Sequence, residues 1–386
     1  MARTLLMVPA FFLGAGLLAW SANWLTSRAW RRAASAHWSE RARLLWPARQ
    51  GAASNIFLLP VGICLLVSFM DHGFSIWCVL DGVATWLGLM LGTYPLDRQI
   101  LPRLTFRQWL RLAVIVWSMR IAMIGLWVNG CLLMPEDING CSFIIVGGVL
   151  ATHIAFVWRY WRLLLIKTRL LLRAGDRLQG IVTATAYGMS LPLPKTFLLD
   201  VPVANAMALP LTRELIFTSR LMEICGDKEV SSICAHELAH LTESKSVAAM
   251  RVMSSVVWFP ILFLRPLLHA YGTGGLAILS LSFAARALFR KLSRRMERRA
   301  DAMATTQQGD SGVYARALEK LYRENQMPAV NSSSRKTHPH LYDRMLAAGI
   351  QPDFERPKPP ATLSAIYLPL WMGLGMLIGW ALASSS

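Results

Sequence analysis

Long apolar runs constrain this chain more than any other feature. They lie at about 5–25, 54–70, 74–94, 110–134, 142–163, 252–271, 274–290 and 362–384. A helix needs about 20 apolar residues to cross a bilayer. In lipid, only helices and closed barrels satisfy every backbone polar group. The runs therefore predict a mainly α chain, a polytopic helical membrane protein. Composition agrees, because charged residues make up 16% of the chain against about 25% in ordinary soluble domains. The first run has a second reading as a signal peptide, since Ala19-Trp20-Ser21 before Ala22 offers a small-residue cleavage site.

Charge orients the spans. The chain carries a net +18, unevenly spread. Arg28, Arg31, Arg32, Arg41, Arg43 and Arg49 crowd into 26–53, and Arg98, Arg103 and Arg107 into 95–109. Lys167, Arg169 and Arg173 follow the fifth run. The loop 135–141 holds only Glu136 and Asp137, and 71–73 holds Asp71. Five spans ahead of residue 164 put every basic loop on one side and every acidic loop on the other. The positive-inside rule makes the basic side cytoplasmic. Cleaving the first run would put the six arginines of 26–53 outside, which favours a retained span. Because the arginines hug span ends, anionic lipid and orientation explain them better than nucleic acid does. Within the spans, Asp81 and Arg120 are costly charges that either pair or snorkel separately.

Chemistry concentrates at His236-Glu237-Leu238-Ala239-His240, which reads H-E-x-x-H. Residues 229–243 contain no Pro or Gly, so a helix is expected there. Helical neighbours four apart share a face, so both imidazoles can point at one metal ion while Glu237 reaches a water. Such hydrolytic sites use three protein ligands and keep one position open. Downstream, Glu297 and Asp301 again stand four apart. Glu297 suits the third ligand and Asp301 an acceptor fixing a ligand imidazole through its other nitrogen. Taken alone, the second motif reads better as a solvated helix of arginine–carboxylate pairs; the first motif tips it toward a metal site.

Together these residues resemble the membrane-embedded gluzincin peptidases typified by HtpX and the CAAX prenyl proteases. Ser293-Arg294, Glu297 and Ala300-Asp301 match that family's S-R-x-x-E-x-x-A-D string. Asn205-Ala206-Met207-Ala208 resembles its N-A-F-A strand, and Thr337-His338-Pro339 with Arg344 its S-x-H-P…R tail. Arg220 departs from the usual Gly, and residues 241–245 lack the usual N-G-D-like ending. The resemblance spans roughly 165–350. It implies a small α+β gluzincin-type zinc peptidase domain, one Zn2+ per chain on His236, His240 and Glu297, and Glu237 as general base. It nominates His338 as oxyanion donor; the alternative is a histidine fixing a loop. Arg344 either pairs with Asp301 or another acid, or is an ordinary surface arginine. The strand at Asn205 and Ala206 is expected to hold substrate backbone by edge pairing, unless Asn205 merely opens a turn.

The expected organisation is 1–163 transmembrane, 164–250 with the first motif, 251–290 a transmembrane hairpin, 291–355 with the second motif, and 356–386 a last span. A hairpin leaves and returns on the same side, so both metal motifs meet at the cytoplasmic face. Residues 169–188 read as a helix interrupted near Gly180, and 196–201 and 215–218 as strands. Cys131 and Cys141 flank the outward loop, where a disulfide or two unpaired thiols are possible; Cys225 and Cys234 read as free. The expectation is a zinc endopeptidase of the cell inner membrane acting on membrane or misfolded proteins. Alternatives are a dedicated maturation or sensor protease, or a non-proteolytic scaffold retaining the fold. A transporter would explain the spans but not the two motifs.

Overall fold

A computed structural model describes residues 2–70, 76–307, 311–331 and 339–361. The chain is mainly helical and divides into two compact units, 1–113 with 322–333 and 353–386, and 114–321 with 334–352.

In the first unit, helices Ala2–Thr26 and Ile76–Ile100 meet at glycines. A Cβ on Gly88 would collide with the Phe12 carbonyl, and one on Gly92 with the Gly16 carbonyl. The backbones approach that closely because small residues recur four apart. Asn23 Nδ2 donates to Thr93 Oγ1 across the same seam at 3.3 Å. Leu45 and Ala48, on the helix Trp38–Met70, pack with Trp30, Leu96 and Ile100.

Among the described residues, two helices are long and apolar enough to cross a membrane, Met7–Thr26 and Phe106–Leu133. Only 6% of the second helix's most apolar stretch is buried, unlike the core helix of a soluble protein. The run 54–70 lies within Trp38–Met70, and the described part of 74–94 lies within Ile76–Ile100. The run 142–163 passes from Gly140–Ala155 through a π-helical turn, Phe156–Tyr160, into Trp161–Lys167. The Arg120 guanidinium lies over the Trp117 ring, 5.0 Å from its centroid. The run 362–384 lies outside the described residues.

One run expected to be a continuous helix is broken. Residues 252–271 are not a single helix but the end of Lys245–Ser255, a 3-10 turn Phe259–Phe263, and a helix Leu264–Tyr271. Pro260 and Pro266 account for the break, since each lacks the N–H an α-helix interior needs and crowds the preceding turn. The second arm is unbroken and runs on as the 33-residue helix Gly275–Gln307, which carries Glu297 and Asp301.

The second unit holds a four-stranded sheet. Strands β1 (Leu171–Arg173), β2 (Lys195–Leu199), β3 (Ala206–Leu209) and β4 (Glu214–Thr218) lie in the order β1-β2-β4-β3. The β2–β4 pair is parallel and the two outer pairs antiparallel. The helix expected over 169–188 is therefore shorter. Residues 171–173 pair with 197–199, and the helix Asp176–Gly188 starts beyond them with Gly180 inside it unbroken. Tertiary pairing overrides local propensity at that end. Central β4 is buried throughout, and its Glu214 carboxylate is held by Arg162 and by Thr212 Oγ1 at 2.9 Å. Leu215 and Phe217 pack with Val182, Val230, Ile233, Cys234 and Leu238, which seats the helix Asp227–Leu241 against the sheet. Fully burying each such side chain stabilises by about 1.5–3 kcal/mol.

Candidate metal centre

The helix Asp227–Leu241 is fixed at its start by Glu229, whose carboxylate accepts from the Gly226 backbone N–H at 2.9 Å and from Lys320 at 2.8 Å. Its apolar face is spent on the core, so the opposite edge of the same buried helix presents His236 and His240, both 7% exposed. Glu297, 4% exposed, comes from the long helix Gly275–Gln307.

The three donor groups converge. His240 Nε2 lies 3.3 Å from His236 Nε2. Glu297 Oε2 is 3.7 Å from His236 Nε2, and Oε1 is 3.6 Å from His240 Nε2. Ligands about 2.0–2.1 Å from a tetrahedral ion sit about 3.4 Å apart, so this triangle has the size of one face of such a site.

The other ring nitrogens explain why the Nε2 atoms point inward. His236 Nδ1 faces the Tyr314 hydroxyl at 2.7 Å and Asp301 Oδ1 at 3.1 Å. Tyr314 donates to Asp301 Oδ1 at 2.8 Å, so its oxygen is free to accept from an Nδ1 proton. His240 Nδ1 faces Glu243 Oε1 at 2.8 Å. Carboxylates at both Nδ1 positions place the protons there and leave both Nε2 lone pairs aimed at one point. Two converging lone pairs and a carboxylate repel one another unless a cation lies between them. The donor set, two imidazoles and one carboxylate, is that of hydrolytic zinc sites.

Arg344 completes the layer behind His236. Its Nε donates to Asp301 Oδ2 at 2.9 Å, and a terminal nitrogen donates to Asp301 Oδ1 at 2.5 Å and to the Tyr314 hydroxyl at 2.7 Å. Burial alone would raise the Asp301 carboxyl, but the His236 hydrogen bond and the Arg344 charge outweigh it and hold the group well below the ordinary carboxylate range. Burial pushes the Tyr314 phenol well above its usual value, so it stays a neutral donor.

Glu237 is half-buried beside His236 on the same helix. Asn205 lies just before β3, its N–H donating to Thr218 Oγ1 at 2.9 Å and its carbonyl accepting from Thr218 N–H at 3.0 Å. Ala206 begins β3, which is an edge strand of the sheet. His338 lies outside the described residues. Arg220 sits in the helix Ser219–Ile224 rather than in a turn, so the position needs no glycine, and it pairs with Glu223 at 2.6 Å. Cys225 and Cys234 are buried free thiols, and Cys131 and Cys141 are likewise unbonded.

Two contributors escaped the sequence reading. Tyr314 stands in no motif, and only the fold carries it to His236. Glu243 had a signal: it stands three residues beyond His240 in H-E-x-x-H-x-x-E, although the helix itself ends at Leu241.

Residues 173–349 match Peptidase family M48. A protease HtpX homologue of Methylibium petroleiphilum is 27% identical over 183 residues, 43% of this chain and 63% of that protein. One of Ralstonia pickettii is 29% identical over 159 residues, 37% of this chain and 54% of that protein. Each match spans less than two thirds of the relative. The resemblance carried by the two motifs is borne out over this segment.

Proposed function

We propose, from the premise that residues 173–349 are an M48-type peptidase segment, that this chain is a membrane-embedded zinc endopeptidase. It acts on membrane or misfolded proteins at the cytoplasmic face of the cell inner membrane. The observation that carries the reading is the convergence of both Nε2 atoms and the Glu297 carboxylate, with every Nδ1 already occupied. His236, His240 and Glu297 would hold the ion. When bound, zinc supplies a positive centre that polarises a carbonyl and acidifies water.

The chain's own residues do the rest. Glu237 takes the proton of the water that attacks the scissile carbonyl and returns it to the leaving amine nitrogen. Asp301, kept ionised by Arg344, holds His236 through Nδ1 together with Tyr314. His338 is assigned the second donor to the developing oxyanion. The open edge of β3 at Ala206 receives the substrate as an added strand, which recognises backbone and tolerates varied side chains. Two apolar helices and the arginine-rich loops support the membrane setting.

The test is degradation of an unfolded protein such as casein by the full chain in detergent. Wild type cleaves, a chelator stops it, and Glu237→Gln retains zinc while losing about 10²-fold or more of the rate. Undiminished cleavage by Glu237→Gln would overturn the mechanism.

A further inference from the structure

We infer that Glu243 is a positioning residue for the metal centre, holding His240 as Asp301 and Tyr314 hold His236. The inference rests on the zinc reading above and goes beyond its three ligands and base. It starts from an asymmetry along the helix Asp227–Leu241. His236 lies mid-helix, and its ring is braced by groups from two other segments: it stacks on Tyr314 with planes 23° apart, and Asp301 approaches its Nδ1. His240 lies in the last turn, and the helix stops at Leu241.

Glu243 braces that ring from the reversal itself. Its N–H closes a tight turn on the His240 carbonyl at 3.3 Å, and its carboxylate returns to His240 Nδ1 at 2.8 Å. The chain then turns at Ser244, which caps the next helix by accepting from Val247 N–H at 3.3 Å. The Glu243 side chain is only 1% exposed. A carboxylate is costly to bury unless charge and hydrogen bonds compensate it. One such hydrogen bond comes from the imidazole N–H, whose own polarity rises when its ring ligates a cation.

The consequence is specific. Glu243 fixes the His240 tautomer, turns Nε2 toward His236 and Glu297, and makes the ring a stronger donor. Each imidazole of the centre then has its own carboxylate. Glu243 acts on the centre through the hydrogen bond to His240 Nδ1.

Glu243→Gln and Glu243→Leu separate this role from a merely structural one. The full chain in detergent is stripped of metal and titrated with zinc against a chelator, and with cobalt followed by its visible spectrum. The expected result is weaker zinc binding, by about 10–100-fold for Glu243→Leu. Glu243→Gln falls in between, because an amide oxygen still accepts the Nδ1 proton without the charge. The cobalt bands shift in both variants. Should the leucine variant fail to fold, the isosteric glutamine variant decides the matter by affinity and spectrum. Zinc affinity and cobalt spectrum unchanged in Glu243→Gln and in any folded Glu243→Leu overturn the assignment while leaving the zinc reading intact. A wild type that binds no zinc overturns both.

Discussion

Tyr314 touches three groups at once: His236 Nδ1, Asp301 and Arg344. Tyr314→Phe removes the one hydroxyl that links them and leaves buried polar atoms short of a partner. The cost is about 1–3 kcal/mol, so the thermal midpoint of the metal-free protein falls; an unchanged midpoint would show that the hydroxyl only fills space. Thiols give a second test at this scale. Burial pushes Cys225 up to about 11 and Cys234 up to about 12, and thiolate is the reactive form. Neither residue labels with iodoacetamide in the folded protein at neutral pH, and both label after unfolding. The sign for stability follows. The fold favours the protonated thiols, so their contribution is full below the ordinary 9.0 and is lost as pH rises toward those values. A melting midpoint that rises from pH 9 to 11 would contradict this. At residue scale the ligand motifs were legible because four-residue spacing is a local property of a helix. Tyr314 was not, because its 78-residue separation from His236 is closed only by tertiary packing.

Strand β3 shows what an element adds to its residues. Asn205 spends both backbone groups on Thr218. Backbone groups alternate sides along a strand, so those of Ala206 and Ala208 face the open edge. Ala208→Pro removes one outward N–H without touching the β3–β4 ladder. The expected outcome is a raised KM for an extended peptide with the fold retained; an unaltered KM would place the substrate elsewhere. Glycine seams are a second case. Gly92→Leu forces a branched side chain into the Gly16 carbonyl, and overpacking of this kind costs about 1–3 kcal/mol or more. The variant melts earlier in detergent; equal melting would show that the helices do not meet there. Strands β2 and β4 were legible from β-branched and aromatic content. β1 was not, because three residues carry too little pattern and only pairing with β2 makes them a strand. The broken arm at 252–271 was masked by hydropathy, which counts apolar residues and ignores what Pro260 does to a helix.

For the whole molecule, a shared metal site requires residues 236–240 and 297 on one side of the membrane. They are expected on the cytoplasmic side, with 26–53 and 95–109, and 135–141 outside. Single cysteines labelled with an impermeant reagent map each loop. Labelling from outside near residue 40 but not near 137 inverts the topology, and opposite-side labelling at 240 and 297 is incompatible with a shared site. This expectation rests on charge sorting, a property of the sequence, whereas the division into two units depends on which helices pack and has no local signal. The most direct measurement is zinc K-edge absorption on the purified full chain. One zinc per chain is expected, bound by two imidazoles and carboxylate or water oxygen at about 2.0–2.2 Å. Absence of zinc, or a sulfur shell at about 2.3 Å, would contradict it.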